Sequence, residues 1–484
     1  MGSTDTSAHG SLSEVVRDRY HQAGWWREST VLDDFLAVAA ARPDAPAIVS
    51  YRVDPNRTGP APAPHRLTYG ELGELVDRCA VALLDLGVES GDVVSMQLPN
   101  SWEFVALALA AARVGAAVNP LVPILRHREL SFILGRTASR VCVMPHMFRG
   151  YPHGQLLSDV AKDLPQLEHA FVVGSPDETP LPAGTESFEA HFLGRTAADP
   201  EQIATLDARR PKGDDVAEIQ FTSGTTGEPK GVVHSWNTVW SAARVWPEVL
   251  GLGAGDVAFM ASTLAHQTGF LYGVIVPMSM GMTVVFQDVW DPAEFIRICD
   301  RERVTYTVGA TPFVLDAVAA QRDIGASLET LRYFGCGGAP IPPHLVAASQ
   351  EVLGAELIAV WGMTENGIVT CTRPGDPVEV VSDSDGTPVP WMEIRVVSPD
   401  GVELSPGEVG HLQVRGASQT LGYFQRPDLY QDALRPADDD RGPWFDTGDL
   451  ARRRPEDGGI RIAGRAKDLV IRGGENVPVV EVEA

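Results

Sequence analysis

The stretch Phe221-Thr-Ser-Gly-Thr-Thr-Gly-Glu-Pro-Lys-Gly-Val-Val-His234 concentrates hydroxyls, glycines and a lysine in a short span. Before it, Val216-Ala-Glu-Ile-Gln-Phe221 alternates apolar and polar residues as a strand does, and after it the spacing from Trp236 to Leu250 predicts a helix. A strand, a glycine-rich turn and a run of hydroxyl and amide donors offer phosphate oxygens many partners at low steric cost. Lys230 adds a fixed positive charge. This is not the usual P-loop, in which lysine directly follows the second glycine; here Glu228 and Pro229 separate Gly227 from Lys230. A plain turn is the alternative, but a plain turn has no use for hydroxyls on both sides of its glycines beside a lysine.

Outward from this loop, strand and helix patterns alternate. Thr68-Tyr-Gly-Glu71 reads as a capping box opening a helix that Gly87 closes, Val93 to Leu98 as a strand, Ser101 to Arg113 as a capped helix, and Ala116 to Leu121 as a strand. Leu12 to Leu36 carries helical spacing, with Trp25 and Trp26 as packing anchors. Gly174 to Asp215, rich in proline and acid, reads as a long surface connection. The alternation resumes from Asp256 to about Cys371, with strands expected at Thr283–Phe286, Thr305–Val308 and Leu357–Val360. After Gly386 short strands and turns take over, as in Glu393–Val397 and His411–Val414. The expected architecture is α/β: two β/α subdomains with mostly parallel sheets (residues 1–180 and 181–385) and a small β-barrel-like subdomain (386–465), followed by a hinge and the start of a further domain (466–484).

The composition narrows function. The net charge is −25, from 39 basic against 64 acidic residues, which leaves no readily available basic face for nucleic acid or an anionic membrane. Lys162, Lys212, Lys230 and Lys467 are the only lysines, so lysine chemistry must come from these. Cys79, Cys142, Cys299, Cys336 and Cys371 are scattered, without metal-ligand spacing, and suit a reduced cytoplasmic protein better than a disulfide framework. The first residues lack a basic end followed by an apolar run, and Arg113 stops the longest apolar stretch well short of a membrane span, so a soluble, unexported chain is expected.

Several later strings carry chemistry. Trp361-Gly-Met-Thr-Glu365 puts a hydroxyl and a carboxylate at a strand end; Glu365 suits Mg²⁺ and Thr364 a phosphate, although a solvated glutamate would read the same. In Trp444-Phe-Asp-Thr-Gly-Asp449 the last carboxylate matches the paired hydroxyls of a ribose, or is a structural turn residue. Gly464-Arg-Ala-Lys-Asp468 offers Arg465 to ribose or phosphate, or is a charged surface turn. His266, in Ser262-Thr-Leu-Ala-His-Gln-Thr-Gly-Phe270, is as well suited to a packed core as to a site, and Gly335-Cys-Gly-Gly-Ala-Pro340 permits close approach of something flat or bulky.

Taken in this order, the strings resemble the adenylate-forming superfamily of acyl-CoA synthetases, luciferases and peptide-synthetase adenylation domains, over nearly the whole chain. The resemblance implies that a carboxylate attacks the α-phosphate of Mg·ATP to give an acyl-adenylate and pyrophosphate, after which a thiol, usually of coenzyme A, displaces AMP. It further implies that Thr222, Ser223, Gly224, Thr225, Thr226, Gly227 and Lys230 handle phosphates, and that Glu365 holds the metal. Trp361 and the Gly337-Gly338-Ala339-Pro340 turn would flank adenine, while Asp449 and Arg465 hold ribose. His266, Gly335 and Trp361 would border the acyl pocket, Lys467 or Asp468 would be the hinge, and Gly473 and Gly474 would meet the pantetheine arm. Lys230, Thr226, Glu365 and His266 are the expected catalytic set.

The family's C-terminal domain brings a further lysine to the first step, and with no lysine beyond Lys467 that group is not expected within this chain. A chain cut short, or one that takes a ready-made acyl-adenylate, are the two readings. Leu264 to Phe270 lacks the aspartate with which amino-acid-activating relatives hold an ammonium, so a plain carboxylic acid is expected. Gly269, Gly309 and Gly335 are expected to leave room for a bulky or alicyclic acyl group. The expected function is thus an AMP-forming acyl-CoA synthetase, with a carrier-protein thiol as the other acceptor, a possible homodimer, and a bacterial, specialised-metabolism setting suggested by the arginine-rich, lysine-poor composition. The rival from another class is a non-catalytic acyl-adenylate-binding module.

Overall fold

The computed structural model describes residues 12–53, 63–174, 180–222, 228–465, 469–472 and 475–478. Among these, the strands form two large mostly parallel sheets, an antiparallel sheet and a two-stranded ribbon. The first large sheet runs Gly422–Tyr423, Lys230–Ser235, Val216–Thr222, Ala117–Pro120, Val93–Met96, Val141–Pro145, His169–Val173 and Glu186–Ser187. Its inner strands are buried on both faces, as parallel strands between helical layers are. The second runs from Thr387–Pro388 through Gly367–Cys371, Glu356–Met363, Tyr333–Gly337, Tyr306–Ala310, Val257–Met260 and Thr283–Gln287 to Pro46–Tyr51 and His65–Thr68. Residues 392–465 supply the antiparallel sheet, of Met392–Val397, Val409–Gly416, Trp444–Arg453, Leu434–Arg435 and Ile460–Arg465.

Sheet membership does not follow chain order. The strands on either side of the phosphate loop lie in the sheet begun by Val93–Met96, whereas Pro46–Tyr51 and His65–Thr68 join the second sheet, so a division at 180/181 does not separate the two sheets. The reason lies in pairing: Ile48 to Tyr51 align in parallel with Val284 to Gln287, far along the chain.

Local signals account for most helices. Thr68 and Glu71 form the expected capping box at the start of Tyr69–Asp85, and Gly87 follows with φ 75°. Ser101 precedes Trp102–Arg113 without a side-chain capping bond. The helix expected over Trp236–Leu250 is two, Trp236–Ala243 and Val245–Leu250. Pro247 explains the break, since it has no N–H for the Ala243 carbonyl and its ring crowds that carbonyl. Leu12–Leu36 likewise divides into Glu14–Gln22 and a second helix, Val31–Ala41, with Gly24 at φ 70° after the first. Trp26 is buried and donates its indole N–H to the Ala417 carbonyl at 2.8 Å; Trp25 is half-buried.

The 174–215 connection is more structured than its composition suggests. Glu186–Ser187 extends the first sheet, Asp199 caps a helix over Pro200–Ala208, and Phe188, Phe192 and Leu206 are fully buried. Two phenylalanines four residues apart carry enough apolar area to fold it onto the core. All five cysteines are buried and free. No helix among the described residues is long and apolar enough to cross a membrane.

Candidate active site

The phosphate loop begins where the strand Val216–Thr222 ends and returns as Lys230–Ser235, with Thr222 opposite Lys230 in the antiparallel register. Ser223, Gly224, Thr225, Thr226 and Gly227 lie outside the described residues, as do Lys467, Asp468, Gly473 and Gly474. Lys230 is half-buried, with its Nζ 5.1 Å from the ring centroid of Tyr423.

The strand Glu356–Met363 ends in the turn Thr364-Glu365-Asn366. Glu365 is 7% exposed, and its Oε1 accepts from the Tyr423 hydroxyl at 2.8 Å. Burial pushes its pKa up, opposed by the Tyr423 bond and by the positive charges of Lys230 and Arg465. His234 ties this turn to the phosphate strand: burial lowers its pKa to about 4, so the ring is neutral, Nε2–H donates to the Thr364 carbonyl at 2.7 Å and Nδ1 faces the Thr238 hydroxyl at 2.9 Å. A neutral ring thus supplies one donor and one acceptor, as this position requires.

On the same strand Trp361 is 8% exposed and donates its indole N–H to Asp449 Oδ2 at 3.0 Å. Arg465 Nε lies 3.2 Å from Asp449 Oδ1. These contacts join the antiparallel sheet, which carries Asp449 and Arg465 in register on neighbouring strands, to the end of the second large sheet. Burial raises the Asp449 pKa, with Arg465 and the Trp361 N–H acting the other way. The Gly337–Pro340 turn follows the strand Tyr333–Gly337: a side chain at Gly337 would run into the Val360 carbonyl, whereas Gly338, at φ 78°, faces open space. The Ala339 carbonyl accepts from Thr311 at 3.3 Å, and Pro340 is exposed.

His266 is half-buried at the start of the short helix Gln267–Phe270. Its loop is fixed by two side chains that carry no local motif. Asn100 accepts from the Leu264 N–H at 2.8 Å and donates to the Ser262 carbonyl at 2.8 Å, and Gln220 donates to the Ala265 carbonyl at 2.6 Å. At each of the three glycines expected to border the acyl pocket an added Cβ would meet a neighbour. A side chain at Gly269 would run into the Thr263 carbonyl; a Cβ at Gly309 would lie 3.0 Å from the Phe313 ring, and one at Gly335 2.9 Å from the Trp246 ring. The absence of a side chain at these positions leaves room for those neighbours.

Sequence reasoning thus names the charged groups and Trp361, which the structure brings together, but misses Tyr423, His234, Asn100 and Gln220. His234 and Gln220 flank the phosphate loop closely, and a polar residue in an otherwise apolar strand is the signal that marks them.

A family model described as AMP-binding enzyme matches residues 35–424. The chain is 34% identical over 473 residues to the medium-chain fatty-acid–CoA ligase of Escherichia coli K12, covering 98% of this chain and 79% of that relative. To the 2-hydroxy-7-methoxy-5-methyl-1-naphthoate–CoA ligase of Streptomyces carzinostaticus it is 35% identical over 478 residues, covering 97% and 80%. The solved structure of the anthranilate CoA ligase AuaEII in complex with anthranoyl-AMP superposes with a TM-score of 0.77 at 25% identity, covering 94% of this chain and 82% of that one.

Proposed function

The chain belongs to the family of AMP-binding enzymes and is an acid–thiol ligase of the adenylate-forming kind, and we propose that it joins a carboxylic acid without an ammonium group to coenzyme A through an acyl-adenylate. The observation that carries this reading is the convergence, on one strand end, of Lys230, Tyr423 and Glu365 with Trp361, Asp449 and Arg465. One set suits phosphates and the other suits a ribose beside a flat ring.

In the first step the acid's carboxylate attacks the α-phosphorus and pyrophosphate leaves, so negative charge builds on the phosphate oxygens. Lys230 is the fixed cation of this chain that offsets it, at a partly buried position where its charge is worth more than in bulk water. Asp449 would accept from the ribose hydroxyls and Trp361 would cover one face of adenine, orienting the α-phosphorus toward the acid. In the second step the thiol sulfur attacks the acyl carbon, its proton passes to solvent, and AMP leaves with the bonding pair.

Glu365 would hold Mg²⁺: it is a buried carboxylate whose burial disfavours its charge, a cost that a bound cation would offset. No group of three or more metal-binding side chains surrounds it among the described residues, so the other ligands would be phosphate oxygens and water, the usual habit of that ion. When bound, the ion would neutralise phosphate charge.

The relatives named above act on a medium-chain fatty acid and a substituted naphthoate. The acid proposed here is accordingly of that bulk and carries no ammonium. Glu218 bears on Gln267, next to His266, but burial raises its pKa to about 8 and leaves it neutral at pH 7.

The test is mass-spectrometric detection of acyl-adenylate and thioester from the full-length protein with Mg·ATP, coenzyme A and a panel of fatty, alicyclic and aromatic acids. Acid-dependent pyrophosphate release with an adenylate of matching mass is expected. Thioester from synthetic acyl-adenylate alone, without pyrophosphate release, would leave only the second half-reaction, and adenylate that binds without turnover would mark a binding module.

A further inference from the structure

We propose that Tyr423 is a positioning residue, which fixes the Glu365 carboxylate by donating its hydroxyl to Oε1 while its ring face lies against the Lys230 ammonium. The inference rests on the nucleotide-binding reading above and assigns to Tyr423 the alignment of the two groups that meet the phosphates.

Residues 418–424 run as a strap between the phosphate strand and the Glu365 turn. On one side, Gly422 and Tyr423 pair with Val233 and Val232, Leu421 N–H donates to the Val233 carbonyl at 2.9 Å, and Phe424 N–H donates to the Gly231 carbonyl at 2.7 Å. On the other, Thr420 N–H donates to the Glu365 carbonyl at 2.6 Å and the Ser418 hydroxyl to the Asn366 carbonyl at 2.8 Å. The Thr420 hydroxyl crosses back to the Val233 carbonyl at 2.7 Å. The backbone around Tyr423 is therefore held from both sides, and its ring, 7% exposed, meets Tyr430 edge-on at 6.0 Å.

A glutamate side chain has several rotatable bonds, and a lone carboxylate at a turn would sample many positions. A hydroxyl anchored on a fixed ring removes that freedom, as hydrogen-bonding partners behind metal-binding carboxylates do. A phenol hydroxyl can donate its proton to a carboxylate oxygen, which only accepts. The ring also faces Lys230, so one side chain sets the spacing of the anionic and cationic groups.

The experiment measures ATP binding by calorimetry as a function of Mg²⁺ in wild type, Tyr423→Phe and Glu365→Asp. Tyr423→Phe keeps the ring and loses the hydroxyl, and the half-saturating Mg²⁺ concentration for ATP binding should rise on the order of tenfold, with the melting temperature little changed. Glu365→Asp withdraws the carboxylate from the hydroxyl and should give a comparable rise, to which Tyr423→Phe adds nothing. An unchanged Mg²⁺ dependence in Tyr423→Phe, or a full further rise in the double variant, overturns the proposal. Failure of wild type to bind ATP at any Mg²⁺ concentration would instead overturn the nucleotide-binding reading on which it rests.

Discussion

Asp449 receives the Trp361 N–H on Oδ2 and faces the Arg465 guanidinium with Oδ1, so each oxygen has one protein partner and a lone pair left for a ribose hydroxyl. Trp361 then has a second use beside any stacking on adenine, which is to aim the carboxylate. Trp361→Phe keeps an aromatic face and removes the N–H. A hydrogen bond to a charged group contributes about 1.5–3 kcal/mol. The KM for ATP should therefore rise by roughly tenfold or more, while that for 2′-deoxy-ATP, with one ribose hydroxyl fewer, rises less. Steady-state kinetics with both nucleotides checks this, and an equal loss for the two would mean that Trp361 acts through stacking alone. Trp361, Asp449 and Arg465 were legible in the sequence because each sits in a compact motif. Their mutual bonds were not, since Trp361 and Asp449 are 88 positions apart and Tyr423 and Glu365 58. No periodicity within a strand encodes which distant carboxylate its indole or phenol will meet.

The strand Val216–Thr222 illustrates how one element serves both site and core. Gln220 holds the His266 loop, and two positions earlier Glu218 lies fully buried opposite His234 in the register. Both Glu218 carboxylate oxygens lack a hydrogen bond of standard geometry, and burial raises the pKa from 4.5 to about 8, slightly opposed by Gln267. The folded state thus holds this proton where the unfolded chain releases it. The resulting stability is complete below about pH 4.5 and is lost progressively as pH rises through about 8. Glu218→Gln removes the titration, so wild type should lose a few kcal/mol relative to the variant between pH 5 and pH 8.5, by linkage. Urea midpoints of both proteins at the two pH values test it, and parallel pH dependences would show that Glu218 is ionised in the fold. At this scale the sequence was readable where a local rule decides the outcome, as with the Thr68 capping box. It was misread where one residue overrides the pattern, as Pro247 does in dividing Trp236–Leu250, or where a few aromatics outweigh a polar composition, as Phe188 and Phe192 do. Nor does the sequence show that a Cβ at Gly309 or Gly335 would meet the Phe313 or Trp246 ring.

Across the whole molecule the α/β class was legible from alternation alone, but the assignment of strands to sheets was not, because Pro46–Tyr51 crosses into the second large sheet and Gly422–Tyr423 returns to the first. The candidate site draws on residues of three sheets, within a chain whose net charge is −25. The two facts act on ATP over different ranges. On the proposed reading Lys230 and Arg465 would attract it locally, whereas the net negative charge, from 64 acidic against 39 basic residues, opposes the approach of a polyanion at long range. Salt separates the ranges: the screening length shortens from about 30 Å at 0.01 M ionic strength to about 8 Å at 0.15 M, which removes the long-range repulsion first and spares close contacts in a partly buried site. The association rate constant of a fluorescent ATP analogue, measured by stopped flow, should therefore rise severalfold over that interval, while its dissociation rate changes little. A nucleic-acid-binding surface would show the opposite slope, with binding weakened as counterions compete for its cations. If nucleotide association slows with salt, the local cations govern the approach as well as the bound state, and the net charge has no part in the encounter.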